Sequence, residues 1–237
     1  MTAKQLFQAG KLKEAVQALN AEVRDNPTDA QRRTFLFELL CFAGEYDRAE
    51  KQLNVLAQSN KQAELGAVLY HSALHATRTR QDLFDKKDFP QTGGTDQDFA
   101  GALNGKPFEW IVDADPRIGP RLELFAAGAY LWIPFEHIIA IQLQPPERLR
   151  DLLWIPALVQ TGPAFKDREL GEVLIPVLYP SSSAHEDEAV RLGRATAWID
   201  GDGGDPLPVG QKTFLVDGEE IPLLEIRNLE FKTDVQV

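Results

Sequence analysis

Apolar positions over the first 85 residues recur at three- and four-residue steps, and the pattern repeats itself. Shifting the chain by 34 places sets Leu6 on Leu40, Gly10 on Gly44, Leu12 on Tyr46, Ala15 on Ala49 and Leu19 on Leu53. In each copy the glycine separates two helices, the small Ala lets them approach closely, and the Leu fills the next layer of the seam. Pro27 stops the first unit and starts the second. The spacing predicts a helix from Ala30 to Ala43, with Phe35, Leu36, Leu39, Leu40 and Phe42 on a broad apolar face. A further helix is predicted from Gln62 to about Leu83, where Leu65, Val68, Leu69, Ser72 and Leu74 keep mostly helical steps but lack the repeat signature.

Beyond this the pattern changes. Residues 86–106 combine a Pro, paired glycines and scattered polar residues without a period, and read as a linker or loop. From 107 onward the chain breaks into short apolar runs, among them WIVDA, LELFA, YLWIPF, HIIAIQLQ, DLLWIPALVQ, EVLIPVLY, ATAWID, KTFLV and IPLLEIRNLEF. Runs of this length, rich in branched and aromatic residues, predict strands. No helix-length segments separate most of them, so parallel crossovers are missing and a mainly antiparallel barrel or rolled sheet is expected. Gly128 between two runs predicts a hairpin. Pro134, Pro156 and Pro176 point to edges or bends, because proline cannot donate to a ladder. One short helix fits Ala184 to Leu192. The expected organisation is therefore α+β: a helical part over 1–85, a linker over 86–106 and a β-rich part over 107–237.

The skeleton G-x-[LY]-x-x-A-x-x-x-L resembles the second helix of a tetratricopeptide repeat, whose period is 34. Such units need about three copies to bury a continuous core. Two copies and a closing helix are expected to lean on the second part.

Composition narrows the function classes. With 43% hydrophobic and 26% charged residues the chain can bury a core. No run approaches the ~20 apolar residues that span a bilayer, and the start MTAKQLFQAGKLKEA has charges where a signal peptide needs its apolar core. A cytoplasmic protein without membrane insertion is expected. The single cysteine, Cys41, excludes an intramolecular disulfide and a multi-thiolate zinc site. Residues 1–85 hold eleven basic and eleven acidic residues, so the whole net charge of -11 belongs to the rest. Such a surface repels phosphate backbones and favours a neutral or basic protein partner over nucleic acid.

Candidate chemistry centres on FEWIVDADPRIGPRLE, Phe108 to Glu123, where an apolar run ends in Asp113-Ala-Asp115. A strand ending in D-x-D suggests a metal-dependent phosphatase or hydrolase of the haloacid-dehalogenase type, with Asp113 as nucleophile and Asp115 as its partner. That chemistry calls for Thr or Val at Arg117 and for a helix where a second strand is predicted. The structural alternative has both carboxylates accepting backbone or arginine hydrogen bonds in a turn set by Pro116, Gly119 and Pro120, with Arg117 or Arg121 as ion partner. IDGDGGDP, Ile199 to Pro206, begins like a calcium loop, but counting from Asp200 the sixth residue is Asp205 and the twelfth is Gln211, so a solvated turn is expected. His71 and His75 share a helix face without an evident third ligand, which favours a polar or interdomain face over a metal site. Ser181, Ser182 and Ser183 form a loop without an adjacent base. No catalytic residue, metal site or cofactor is expected. Trp110, Tyr130, Trp132, Trp154, Arg117, Arg150 and Arg194 stand out instead, since Trp, Tyr and Arg dominate interface hot spots.

The ordered motifs W-x-x-D-A-D-P-R-I-G-P-x-L-E, G-x-Y-x-W-I-P-F, L-R-D-L-x-W-x-P-A, V-L-I-P-V-L-Y-P and R-L-G-R-x-T-x-W, behind a tetratricopeptide-like start, resemble the ImpE (SciE, TagJ) family of type VI secretion accessory proteins. Ser181 departs from the glycine expected after Tyr-Pro. The resemblance implies a non-enzymatic adaptor that binds the small subunit of the contractile sheath and links it to the ClpV unfoldase. On the matching positions, the residues it offers for binding are Trp110, Asp113, Asp115, Arg117, Tyr130, Trp132, Arg150, Trp154 and Arg194.

Overall fold

Two glycines with positive φ, Gly10 (79°) and Gly44 (73°), end the first helix of each predicted pair, a conformation that costs glycine little. A computed structural model describes residues 1–59, 61–89, 99–162, 165, 170–201 and 204–232. Its first part is helical: α1 (Ala3–Gln8), α2 (Leu12–Asp25), α3 (Ala30–Phe42), α4 (Tyr46–Ala57) and α5 (Lys61–Lys86). Thr2 closes a capping box over α1, and Asp29 caps α3 by accepting from the Arg32 amide. The residues of the repeat signature are internal: Ala15 and Ala49 are fully buried, and Leu19 and Leu53 nearly so.

The second part contains β1 (Gly101–Leu103), β2 (Lys106–Phe108), β3 (Ile111–Asp113), β4 (Arg121–Ala126), β5 (Ala129–Pro134), β6 (Ile138–Leu143), β7 (Trp154–Thr161) and β8 (Glu172–Pro176). There follow the short helix α6 (Glu188–Arg191), then β9 (Thr196–Asp200), β10 (Pro206–Gly210), β11 (Thr213–Val216), β12 (Glu219–Pro222) and β13 (Asn228–Phe231). Every pairing is antiparallel. Eight strands run in the order β2-β1-β13-β6-β7-β8-β4-β5, three more in the order β12-β11-β3, and β9 with β10 forms a two-stranded arm.

The antiparallel α+β reading holds, but the barrel does not. The eight-stranded sheet ends at β2 on one side and β5 on the other, and no pairing among the described residues closes it. The stretch read as a linker contributes β1, which pairs with β13 and β2. Residues 90–98 of that stretch lie outside the described residues, as do 202–203 in the acidic β9–β10 turn. The hairpin predicted at Gly128 joins β4 to β5, with Ala127 and Gly128 both at positive φ (48° and 83°), the requirement of a tight two-residue turn. Pro134 and Pro176 end their strands, whereas Pro156 sits inside β7, one residue before its ladder with β6 begins at Ala157.

Alternation along the strands builds two cores. Leu122, Leu124, Ile133, Ile141, Ile155, Val159 and Ile175 face one way and pack with Ile111 and Phe214 of the three-stranded sheet. On the opposite face Phe125, Trp154 and Leu174 join the helical core with Phe37, Leu74 and Ala76. The expected apolar face of α3 is in fact a helix buried on all sides from Leu36 to Phe42, since α2 and α4 cover one flank and the sheet side covers the other.

Candidate functional site

Within β4, Leu122 and Leu124 point into the sheet core, so alternation sends Glu123 and Phe125 to the face that α5 covers. Glu123 is fully buried there. Its carboxylate receives Arg80 of α5 through two parallel bonds, Nε to Oε1 and Nη2 to Oε2, both 2.8 Å. Lys212 Nζ lies 2.7 Å from Oε2, and the Tyr130 hydroxyl donates to Oε1. The remaining Arg80 nitrogen, Nη1, donates to the Leu178 carbonyl at 2.9 Å. Lys212 is also paired with Asp113 Oδ2, and its ammonium sits 4.8 Å from the Tyr179 ring centre. Arg80 and Lys212 thus balance Glu123 and Asp113 in a water-poor space.

The charge states follow from this arrangement. Burial works against ionised Glu123, but Arg80 and Lys212 outweigh it and hold the carboxyl well below the usual range. For Asp113 burial wins over Lys212, and with Glu123 adding to the rise the carboxyl is pushed up to about 6. Lys212 is opposed by burial and favoured by both acids, and its pKa ends above normal.

Around the network the Asp113–Arg121 corner is a self-bonded turn. Asp113 Oδ1 accepts the Asp115 amide at 2.9 Å and lies 3.0 Å from the Tyr179 hydroxyl. Asp115 accepts the Arg117 amide at 3.0 Å and its guanidinium at 2.6 Å. With Asp113 2% and Asp115 0% exposed, these carboxylates line no open pocket. Among the described residues no cluster of His, Cys, Asp and Glu has the makings of a metal site.

The other sequence-selected residues divide into groups. Arg117 lies over the Phe84 ring at 4.7 Å, and the Trp132 ring completes a triangle with Phe84 and Phe89, at 5.9 and 6.0 Å from them. Trp132 also donates to the Tyr130 hydroxyl. Asp113, Asp115, Arg117, Tyr130 and Trp132 therefore gather beside the C-terminal half of α5. Trp154 and Arg150 meet at Tyr70: Trp154 is buried and donates to Thr77 at 3.1 Å, while Arg150 lies 4.7 Å over the Tyr70 ring. Arg194 caps the end of α1, donating to the Phe7 carbonyl at 2.7 Å. Trp110 stands apart, its amide bound to Asp217. Much of this set is engaged within the chain, joining helices to sheet.

The surface still open for a partner lies at the other end of α5. Leu65, Val68 and Leu69 are 67%, 60% and 49% exposed, although their helical spacing predicted a packed face. Phe125, Trp154, Pro156 and Leu174 form the floor opposite them, in a groove of about 380 Å³ whose rim carries Asp151 and Glu172. The Ala127–Gly128 hairpin tip closes one end. Sequence reasoning missed Arg80, Glu123 and Lys212; Glu123, a single charge inside the apolar run LELFA, was the one with a sign to read.

Comparisons with known proteins agree with this architecture. The model of the ImpE protein family matches residues 105–230, and that of a tetratricopeptide repeat matches residues 6–69. The type VI secretion system accessory component TagJ of Pseudomonas aeruginosa is 32% identical, over 98% of this chain and 92% of its own length. A crystal structure of the Vibrio parahaemolyticus protein VPA1032 superposes with a TM-score of 0.85 at 24% identity, covering 98% of each chain. That likeness concerns the fold.

Proposed function

This chain belongs to the ImpE family, and on that premise we propose that it is a non-enzymatic, cytoplasmic adaptor of a type VI secretion system. In this reading it binds the small subunit of the contractile sheath and links it to the ClpV unfoldase. The observation that carries the reading is the groove between α5 and the sheet, with large apolar side chains left exposed on a helix that packs through Ala73, Leu74, Ala76, Arg80 and Phe84. Its acidic rim and the net charge of -11 call for a segment with one apolar face flanked by basic residues, such as an amphipathic helix laid along α5. No helix among the described residues is long and apolar enough to cross a membrane.

The alternative, a hydrolase using Asp113 and Asp115, draws no support from carboxylates that are buried and already occupied by Lys212, Tyr179 and Arg117. Titration calorimetry with purified sheath small subunit tests the adaptor. Leu69→Asp places a charge on an exposed position and should weaken binding by roughly tenfold or more without unfolding the chain. Wild-type affinity in that variant would remove the groove from the proposal, and no binding by the native chain would remove the partner.

A further inference from the structure

Buried ion pairs are weak stabilisers, because desolvation consumes much of their Coulomb gain. The Arg80–Glu123–Lys212–Asp113 cluster therefore needs a reason beyond stability, and its place on α5 supplies one. The helix has 26 residues, about 39 Å at 1.5 Å per residue. Its contacts with the sheet side run from Tyr70 onward: the Tyr70 ring lies 6.3 Å from that of Trp154, a Cβ on Gly128 would meet Ser72 at 3.5 Å, Thr77 bonds Trp154, Arg80 bonds Glu123, and Phe84 packs on Trp132 at 5.9 Å. The groove-lining turns, Leu65 to Leu69, lie just N-terminal to these anchors and share the groove with the hairpin tip at Ala127 and Gly128. Any roll of the anchored half is carried to them. Arg80 is suited to prevent such a roll, because its planar fork engages Glu123 on β4 and the Leu178 carbonyl beyond β8 at once. Lys212 and Tyr130 in turn fix Glu123 from behind.

We propose that Arg80 and Glu123, backed by Lys212 and Tyr130, are positioning residues for the groove: they set the rotation and height of α5 over the sheet, and so the spacing between its exposed leucines and the groove floor. None of them touches the partner. The proposal rests on the groove as the binding surface, and the experiment separates the two. Nitroxide labels at Leu65→Cys and Glu172→Cys in a Cys41→Ala background report the groove width by pulsed electron resonance without any partner. Arg80→Met with Glu123→Met, a volume-conserving apolar pair, should broaden the single distance distribution. The same pair should weaken binding of the purified sheath small subunit by roughly tenfold.

If the double variant fails to fold, Arg80→Lys, which keeps the charge but loses the fork, and Tyr130→Phe take its place with the same direction expected. Folded variants with a wild-type distance distribution, and affinity within about twofold of wild type, overturn the positioning role even where Leu69→Asp abolishes binding. If Leu69→Asp binds normally, the groove reading falls instead, and the distance measurement alone decides whether the cluster sets the position of α5.

Discussion

Asp113 and Glu123 share Lys212, yet their environments drive their titrations apart. Glu123 faces two cations and is depressed below its ordinary 4.5; Asp113 faces one and is raised from 3.8 to about 6. A depressed carboxyl contributes stability that is present above the unfolded pKa and lost as pH falls. A raised carboxyl holds its proton longer in the folded than in the unfolded state, so its contribution declines as pH rises from about 4 to about 6. The two conservative substitutions should therefore show opposite trends. Relative to the native chain, the cost of Asp113→Asn should shrink as pH rises through that window, by up to about 1 kcal/mol per pH unit. The cost of Glu123→Gln should shrink as pH falls below 4.5. Urea unfolding across pH 4 to 7 measures the Asn variant, and a series extended below pH 4 measures the Gln variant; parallel trends would contradict the charge assignment. Lys212→Met is a harsher change, since it leaves buried Asp113 without its cation and Glu123 with Arg80 as its remaining one. Loss of about 3 kcal/mol or more is expected for breaking such a cluster, read as a fall in the urea midpoint at neutral pH.

The helix pair around Gly44 shows how an element boundary takes on a second task. Its φ of 73° already favours glycine, and a Cβ there would come within 2.6 Å of Ser183 Oγ, in the loop before α6. Gly44→Ala should cost about 1–2 kcal/mol from the backbone alone, with displacement of Ser183 added. A thermal melt should drop by about 2–4 °C for each kcal/mol lost in a chain of this size. The glycine was legible because the 34-residue offset exposed it, as were α3, α5, the β4–β5 hairpin and most strands, where period and turn residues coincide. β1 and β2 were not legible, because three residues give no period to read and β13, the partner that ties β1 into the sheet, lies over 120 residues downstream. Asp113 and Asp115 could be read as turn formers from Pro116 and Gly119. Glu123, Lys212 and Arg80 could not, since a charge on an alternating strand or helix looks outward until a second element is known to cover it. The exposed Leu65, Val68 and Leu69 misled for the converse reason: periodicity marks a face for packing but not whether the partner belongs to the same chain.

For the whole molecule, the central fact is that the helical core does not end with the helices. Phe37 of α3, Leu74 of α5 and their neighbours share one buried cluster with Phe125, Leu153, Trp154, Leu174 and Leu192. Arg80 is 6% exposed only because Glu123 and the sheet cover it. The sheet's other core, from Leu103 to Phe231, contains no residue of α1 to α5 among the described residues, so the dependence runs one way. Residues 1–86 expressed alone would bring to the surface the flank of α3 that now packs on Trp154, and would leave the Arg80 charge without its carboxylate on an apolar face. Two repeats and one closing helix fall short of the roughly three units that such arrays need. The isolated segment should keep helical far-ultraviolet circular dichroism, bind a hydrophobic dye and melt without a sharp transition, as loosely packed helices do. Residues 99–237 alone should retain a cooperative transition, at reduced stability because Glu123 then keeps Tyr130 and Lys212 but loses the Arg80 fork. A sharp, two-state melt of residues 1–86 would mean that the helices pack independently; the covering sheet would then be a neighbour of α3 and α5 and not the second half of their core.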